Sequence, residues 1–224
     1  LVGFVLLVPL IMVYALVSDR QHQSRVAQDA ITMGSGGPQV ISGPIMVVPF
    51  VKNETTTEEV NGKSVTRTVE VTRELFLSPV KQAVTTKLEP EHKRKAIYKT
   101  VIYEAQMAGN ARFEIPADLE RYGVSRDQLQ LQEAQIRFGV LDPRGLRAAA
   151  NLTVNGNSVA LTPGGGLAAS GGAGFHGFVD WQAGEPIDAR YSYTLLGSRS
   201  LTFIPRGGQT DWQVSSAWQH PGFE

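Results

Sequence analysis

The chain contains no cysteine among its 224 residues. Disulfides, thiolate nucleophiles and cysteine-ligated zinc are therefore excluded together. It also lacks a charge of either dominant sign, because Lys+Arg and Asp+Glu both number 21. That balance leaves no electrostatic footprint for nucleic acid, so no nucleic-acid partner is expected. Histidine is sparse: His22, His92, His176 and His220 are scattered with no H-x-x-x-H pair, and isolated surface histidines are the favoured reading over a metal site. No G-x-S-x-G elbow is present to support a serine nucleophile. Gly172-Ala173-Gly174-Phe175-His176-Gly177 matches G-x-G-x-x-G in letters alone. Its flanks read as a glycine-rich loop before and a strand after, whereas a dinucleotide site needs strand then helix. No cofactor is expected.

What is abundant comes first in the chain. Leu1–Val17 carries no charge, and twelve of its seventeen residues are Leu, Ile, Val or Phe. At 1.5 Å per residue the run spans about 25 Å, against about 30 Å for a bilayer core. Those twelve side chains favour insertion by roughly 4 to 7 kcal/mol. Pro9 is tolerated in a membrane helix. The segment predicts a transmembrane helix over 1–17, with the lipid bilayer as partner. A cleaved signal peptide is the alternative, although its small-residue site, Val13-Tyr14-Ala15, lies inside the apolar run rather than after it. A helical stalk over 18–35 follows, stopped by Gly34, Gly36, Gly37 and Pro38. The stalk's charges (Asp19, Arg20, Arg25, Asp29) cancel, so the positive-inside rule does not hold it in the cytoplasm.

From residue 36 to 224 the helical period disappears and strand signals take over. Asn61-Gly62 and Asn155-Gly156 each sit between strand-like arms, and both turn positions of a type I′ hairpin need positive φ. Charged residues within Lys63–Leu77 suit an edge ribbon. Further strands are expected at Ile45–Val51, Gln82–Leu88, Ala96–Ala105, Ala111–Ile115, Glu133–Leu141, Ala189–Leu195, Ser200–Ile204 and Trp212–Trp218. A short helix is expected at Ala117–Tyr122 or Ser125–Leu129, where Ser125 could cap. Many short strands with one or two short helices make the fold class mainly β: an antiparallel, sandwich-like domain behind an N-terminal transmembrane helix.

Two local features carry candidate roles. Asp142-Pro143-Arg144-Gly145 has the chemistry of a tight turn, in which Asp142 and Arg144 could form a local ion pair worth about 0–1 kcal/mol. Trp212, Trp218, His220, Pro221 and Phe223 concentrate rings near a strand end, where core packing competes with a surface for lipid or another segment. Glu91-His92-Lys93-Arg94-Lys95 reads as a solvated turn.

The succession of motifs is similar to the CreD family of bacterial inner-membrane proteins, described as cell-envelope integrity proteins. The segments that carry the resemblance are Gly36-Gly37-Pro38-Gln39, Ser42-Gly43-Pro44-Ile45, Val48-Pro49, Asp142-Pro143-Arg144-Gly145, Leu196-Gly197-Ser198, Phe203-Ile204-Pro205 and Trp218 to Phe223, in order along nearly the whole chain. The resemblance implies an N-terminal transmembrane helix, a periplasmic domain and several further membrane helices. The chain, which starts at Leu1 and not Met, then reads as an N-terminal fragment whose β domain continues. It implies a role in envelope integrity and a regulatory stress response, with cell-wall or other envelope components as partners, and it brings no catalytic residue. Asp142, Arg144, Gly145, Trp218, His220 and Pro221 are the motif positions singled out, for a structural or interaction role. A non-enzymatic envelope protein is the leading expectation. A tethered periplasmic hydrolase acting on a glycan would require a cleft with a perturbed carboxylate pair. A ligand sensor would require an enclosed apolar pocket with convergent polar groups.

Overall fold

A computed structural model describes residues 2–32, 36–60, 63–95, 98–147, 150–182, 185–218 and 222. Among the described residues, one α-helix, α1 (Val2–Thr32), precedes twelve strands: β1 (Gln39–Val60), β2 (Lys63–Leu77), β3 (Lys81–Lys95), β4 (Tyr98–Phe113), β5 (Ala134–Val140), β6 (Asn151–Val154), β7 (Asn157–Ser158), β8 (Thr162–Pro163), β9 (Gly174–Val179), β10 (Ile187–Ser198), β11 (Leu201–Ile204) and β12 (Gln209–Ser216). The chain is mainly β, as its alternating apolar residues predict. The strands form two six-stranded sheets. In the first, β1 is central: β5 lies along one edge, while β11 and then β2 share the other, and β9 and β8 follow beyond β5. The second runs β12-β3-β4-β10-β6-β7.

The two sheets face each other because each has one apolar face to bury. In β10, Ile187, Ala189, Tyr191, Tyr193 and Leu195 are buried and alternate with Asp188, Arg190, Ser192 and Thr194. From the other sheet, Met46, Val48, Ile136, Phe138, Val140 and Phe175 join them in one core. Its centre is aromatic: the Phe138 ring stacks on Phe175 at 4.8 Å and meets Tyr191 edge-on at 5.1 Å, so β5 and β9 touch β10 directly. Burial pushes the Tyr191 hydroxyl up to about 12.

Two pairings depart from the antiparallel expectation. β1 runs parallel to β11, and β3 runs parallel to β12. The strands are also longer than the predicted ones. Ala96–Ala105 and Ala111–Ile115 are one strand, β4, apart from residues 96–97, outside the described set, and 114–115, beyond its end. The expected short helices are single 3₁₀ turns at Leu119–Tyr122 and Arg126–Gln128. Ser125 stands at the N-cap of the second, its backbone N–H donating to Gln128 Oε1 at 2.8 Å. Asn155 and Gly156 both have positive φ, 47° and 85°, as a type I′ turn demands. Asn61-Gly62 lies outside the described residues, but the register of β1 on β2 continues to Val60 opposite Lys63. Gly172–Gly177 leads into β9 rather than a helix.

Two ribbons leave the sandwich. Beyond Phe50, β1 pairs with β2 alone, so Val51–Val60 and Lys63–Thr72 form a two-stranded ribbon. Beyond Leu88 and Ile102, β3 and β4 pair only with each other. At this second ribbon α1 packs against β3 and β4. Ile102 and Thr100 point away from the core by strand alternation, yet both are buried on that side.

Among the described residues no helix is long and apolar enough to cross a membrane. Residue 1 and the side chains of residues 2–6 and 8, part of the apolar run, lie outside the described set.

Candidate functional site: a polar joint around Gln39

The residue that organises the site is Gln39, the first of β1, whose amide is fully buried between the sheets. A buried amide is costly unless every polar atom finds a partner. Here the Oε1 accepts from the Asp142 backbone N–H at 3.1 Å, and the Nε2 donates to the carbonyls of Asp142 at 3.2 Å and Leu196 at 3.0 Å. One side chain thus ties the start of β1 to the 142–145 turn and to β10 in the opposite sheet.

The turn itself forms for local reasons. Pro143 fixes φ at the first position of a 3₁₀ turn, and Asp142 caps it by accepting from the Arg144 backbone N–H at 3.2 Å. The predicted ion pair is present and two-pronged: Arg144 Nε and Nη2 each lie 2.9 Å from a carboxylate oxygen of Asp142. Arg144 is exposed, whereas Asp142 is mostly buried and also accepts from the Gly37 N–H at 3.3 Å. The Arg144 guanidinium, aided by the Gly37 and Arg144 amides, holds the Asp142 carboxyl below its ordinary range despite partial burial. Gly145 is obligatory for space: a Cβ there would stand 2.2 Å from the Leu196 carbonyl oxygen.

Leu196-Gly197-Ser198 completes the joint. A Cβ on Gly197 would stand 2.3 Å from the Tyr103 hydroxyl. That hydroxyl donates to the Ser200 carbonyl at 2.6 Å, and burial pushes its pKa up. The Ser198 backbone N–H donates to the Gly37 carbonyl at 3.0 Å. Among the described residues, the buried Ser198 Oγ has no hydrogen-bond partner. Next to it, Arg199 pairs with Asp29 of α1 at 3.1 Å, and its backbone N–H donates to Val101 at 3.1 Å. The joint therefore binds the helix end, both sheets and the base of the β3–β4 ribbon.

Of the predicted site residues, Asp142, Arg144 and Gly145 come together here. Trp218 is half-buried just past β12. Because β12 lies parallel to β3 with Ser216 beside Leu88, Trp218 leaves the sheet level with Pro90 and Tyr103, two strands from the joint. His220 and Pro221 lie outside the described residues. Sequence reading missed Gln39 as a site residue, together with Tyr103 and Ser198. It also missed Gln82, fully buried in β3, whose Nε2 donates to the Gly43 carbonyl at 2.7 Å and to Tyr191 Oη at 3.3 Å. Among the described residues no group of three His, Asp or Glu side chains could hold a metal ion.

The joint draws together Gly36–Gln39, Asp142–Gly145 and Leu196–Ser198, which are family-like motif segments far apart in the chain. The family model described as "Inner membrane protein CreD" matches residues 1–224. The chain belongs to the CreD family. The inner membrane protein CreD of Escherichia coli (strain K12) is similar to it, 26% identical over 223 residues that cover 97% of this chain and 47% of the relative. The chain thus spans about half the length of the curated relative that it matches. No solved structure matches it. Three of the seven motif segments, Gly36–Gln39, Asp142–Gly145 and Leu196–Ser198, are parts of one buried polar joint in this chain.

Proposed function

We propose that the chain is the membrane-anchored, non-enzymatic part of an envelope-integrity protein, with α1 in the inner membrane and the sandwich in the periplasm. The observation that carries this is the exposure of apolar side chains on every face of α1 between Leu7 and Val17. Leu10, Met12, Tyr14 and Leu16 are each more than 60% exposed, which a water-surrounded helix would not sustain. The near-neutral flank after Val17 supports the periplasmic side. The CreD family's description supports the compartment.

Most of the joint's polar groups hold backbone, which favours bracing over catalysis. A binding role has its own support. The outer face of the second sheet carries a shallow trough of about 560 Å³ lined by Thr85, Lys87, Gln106, Asn151, Thr194 and Gln213. Its surface is more apolar than polar, with hydroxyls and amides among the lining groups, which suits an amphipathic envelope component such as a sugar ring or peptide. Carbonate washing of membranes tests the anchor, and reporter fusions at Asn53 and Asn155 test the side. Retention in the pellet and activity of a periplasm-only reporter at both positions are the expected results. A soluble product, or activity from a cytoplasm-only reporter, overturns the proposal.

A further inference from the structure

We infer that the trough on the outer face of the second sheet holds a neutral glycan strand bearing acetamido groups, laid across the strands. This rests on the binding role given to the trough above and names its occupant. The strand registers set out the floor: Gln213, Thr85, Ala108, Ser192 and Asn151 stand side by side on β12, β3, β4, β10 and β6. At about 4.8 Å between strands this row crosses roughly 19 Å, too long for one sugar ring and suited to several. A second hollow of about 400 Å³ shares Thr85, Ala108 and Gln213 with the first and widens the trough towards Asn110, Arg190 and Asp211. At the centre the floor is a methyl group. Ala108 has the shortest side chain of its row, and along β4 it lies between Gln106 and Asn110, exposed on the same face. An acetamido group offers a methyl, an N–H and a carbonyl, and each side-chain amide beside Ala108 has both an acceptor and donors to meet it.

The hydrogen-bonding capacity of this face is largely unspent, in contrast to the joint at Gln39. Gln106 donates to Glu104 at 3.1 Å, and Thr85 donates to the Ala108 carbonyl at 3.2 Å. Among the described residues, the side chains of Asn110, Asn151, Ser192, Thr194 and Gln213 make no hydrogen bond within the protein. Charge selects a neutral ligand. Three charged side chains line the two hollows: Lys87, which Glu89 holds at 2.6 Å, and the opposite charges Arg190 and Asp211. With Glu89 they leave no net charge, so a polyanion gains nothing here. An extended peptide suits the trough less well than a glycan. It exposes a backbone N–H and carbonyl at each residue and is commonly met by an open strand edge. The strands under the trough's centre, β3, β4 and β10, are already paired on both sides. A glycan brings hydroxyls and acetamido groups that side chains alone can meet.

The test uses the full chain in phosphatidylcholine nanodiscs, where no sugar-based detergent competes, titrated calorimetrically with chitotetraose. Cellotetraose supplies a similar chain without acetamido groups, and acetyl-pentaalanine amide supplies a neutral peptide. Chitotetraose should bind, and cellotetraose should bind at least roughly tenfold more weakly, because the amides beside Ala108 are then left unanswered. Ala108→Leu, an exposed change that fills the hollow, should weaken chitotetraose binding at least roughly tenfold. Asn110→Ala combined with Gln213→Ala should weaken it by about as much while leaving the floor open. Both variants should keep the circular dichroism of the native chain. Peptide binding that Ala108→Leu abolishes, without chitotetraose binding, overturns the glycan and keeps the trough as a binding face. Equal affinity for the two glycans overturns the acetamido group. If none of the three probes binds, or if neither variant alters chitotetraose binding, the trough's binding role and its glycan fail together.

Discussion

Gln39 illustrates how one side chain can set the geometry of a domain. Its amide answers three backbone groups from two distant segments, and replacing it with leucine would strip a hydrogen bond from each in a dry site, although the Asp142 carbonyl keeps the Gly145 N–H at 3.1 Å. An unanswered buried group costs about 1–3 kcal/mol, so Gln39→Leu should lower unfolding free energy by about 1–3 kcal/mol, read from denaturant melts. Gly145 and Gly37 make a paired control on the same joint. A Cβ at Gly145 collides with the Leu196 carbonyl, whereas a Cβ at Gly37 meets no atom within 4 Å. Gly145→Ala should cost about 2–3 kcal/mol and Gly37→Ala less than about 0.5 kcal/mol. Equal costs would mean that the joint is loose.

Asp142 adds a dependence on pH. Its folded-state pKa is lowered, first by the Arg144 guanidinium, so its charge stabilises the fold at pH values above the unfolded pKa of about 3.9. That contribution is lost as pH falls through the lowered folded value. Asp142→Asn keeps a capping oxygen but gives up the charge. The stability gap between native chain and variant should be constant from pH 7 to about 5, then close below pH ~4. Arg144 is exposed, so Arg144→Ala should cost little stability. A gap that widens in acid would mean that the carboxylate is not the stabilised species.

At the scale of elements, β1 is two different objects in one strand. Its first half lies between β5 and β11 or β2 and buries Ile41, Met46 and Val48, while Val51–Val60 has β2 as its sole partner. An unsupported two-stranded ribbon is marginal in water, even with cross-strand threonine pairs and the Glu54–Arg73 ion pair at 2.8 Å. Amides of Val51–Val60 should therefore exchange ~100-fold faster than those of Ile41–Val48, measured by hydrogen exchange with mass spectrometry. Uniform protection along β1 would show that something covers the ribbon. This division also explains what the residues revealed in advance. The apolar halves of strands, the Asn155-Gly156 turn and the Asp142–Arg144 pair follow from local pattern and turn chemistry. The polar continuation of β1 was legible through the Asn61-Gly62 turn signal between its strand-like arms, whereas the polar continuation of β3 carries no alternation to read. The parallel pairings with β11 and β12 join segments more than a hundred residues apart, and nothing local marks them. Gln39 was legible only as a letter in a motif, because its hydrogen-bond partners lie 103 and 157 residues away.

The whole molecule has a direction, and that direction can be tested. α1 joins the sandwich at the Gln39 joint, Trp218 leaves level with Tyr103, and the β3–β4 ribbon extends past that level. β1 starts at the joint and carries the other ribbon away from it, about 30 Å beyond Phe50 if straight. In a membrane-anchored chain one ribbon then faces the bilayer and the other faces the envelope beyond it, the arrangement that a brace between the two would need. Single cysteines at Ala217 and Thr57 in the reconstituted full chain report on the two ends. An energy-transfer acceptor attached to lipid headgroups should quench a label at Ala217→Cys more strongly than one at Thr57→Cys. The polarity holds only in that order. Quenching at Thr57 equal to or stronger than at Ala217 would lay the sandwich on its side or invert it, and the outward ribbon could then no longer reach a partner away from the membrane.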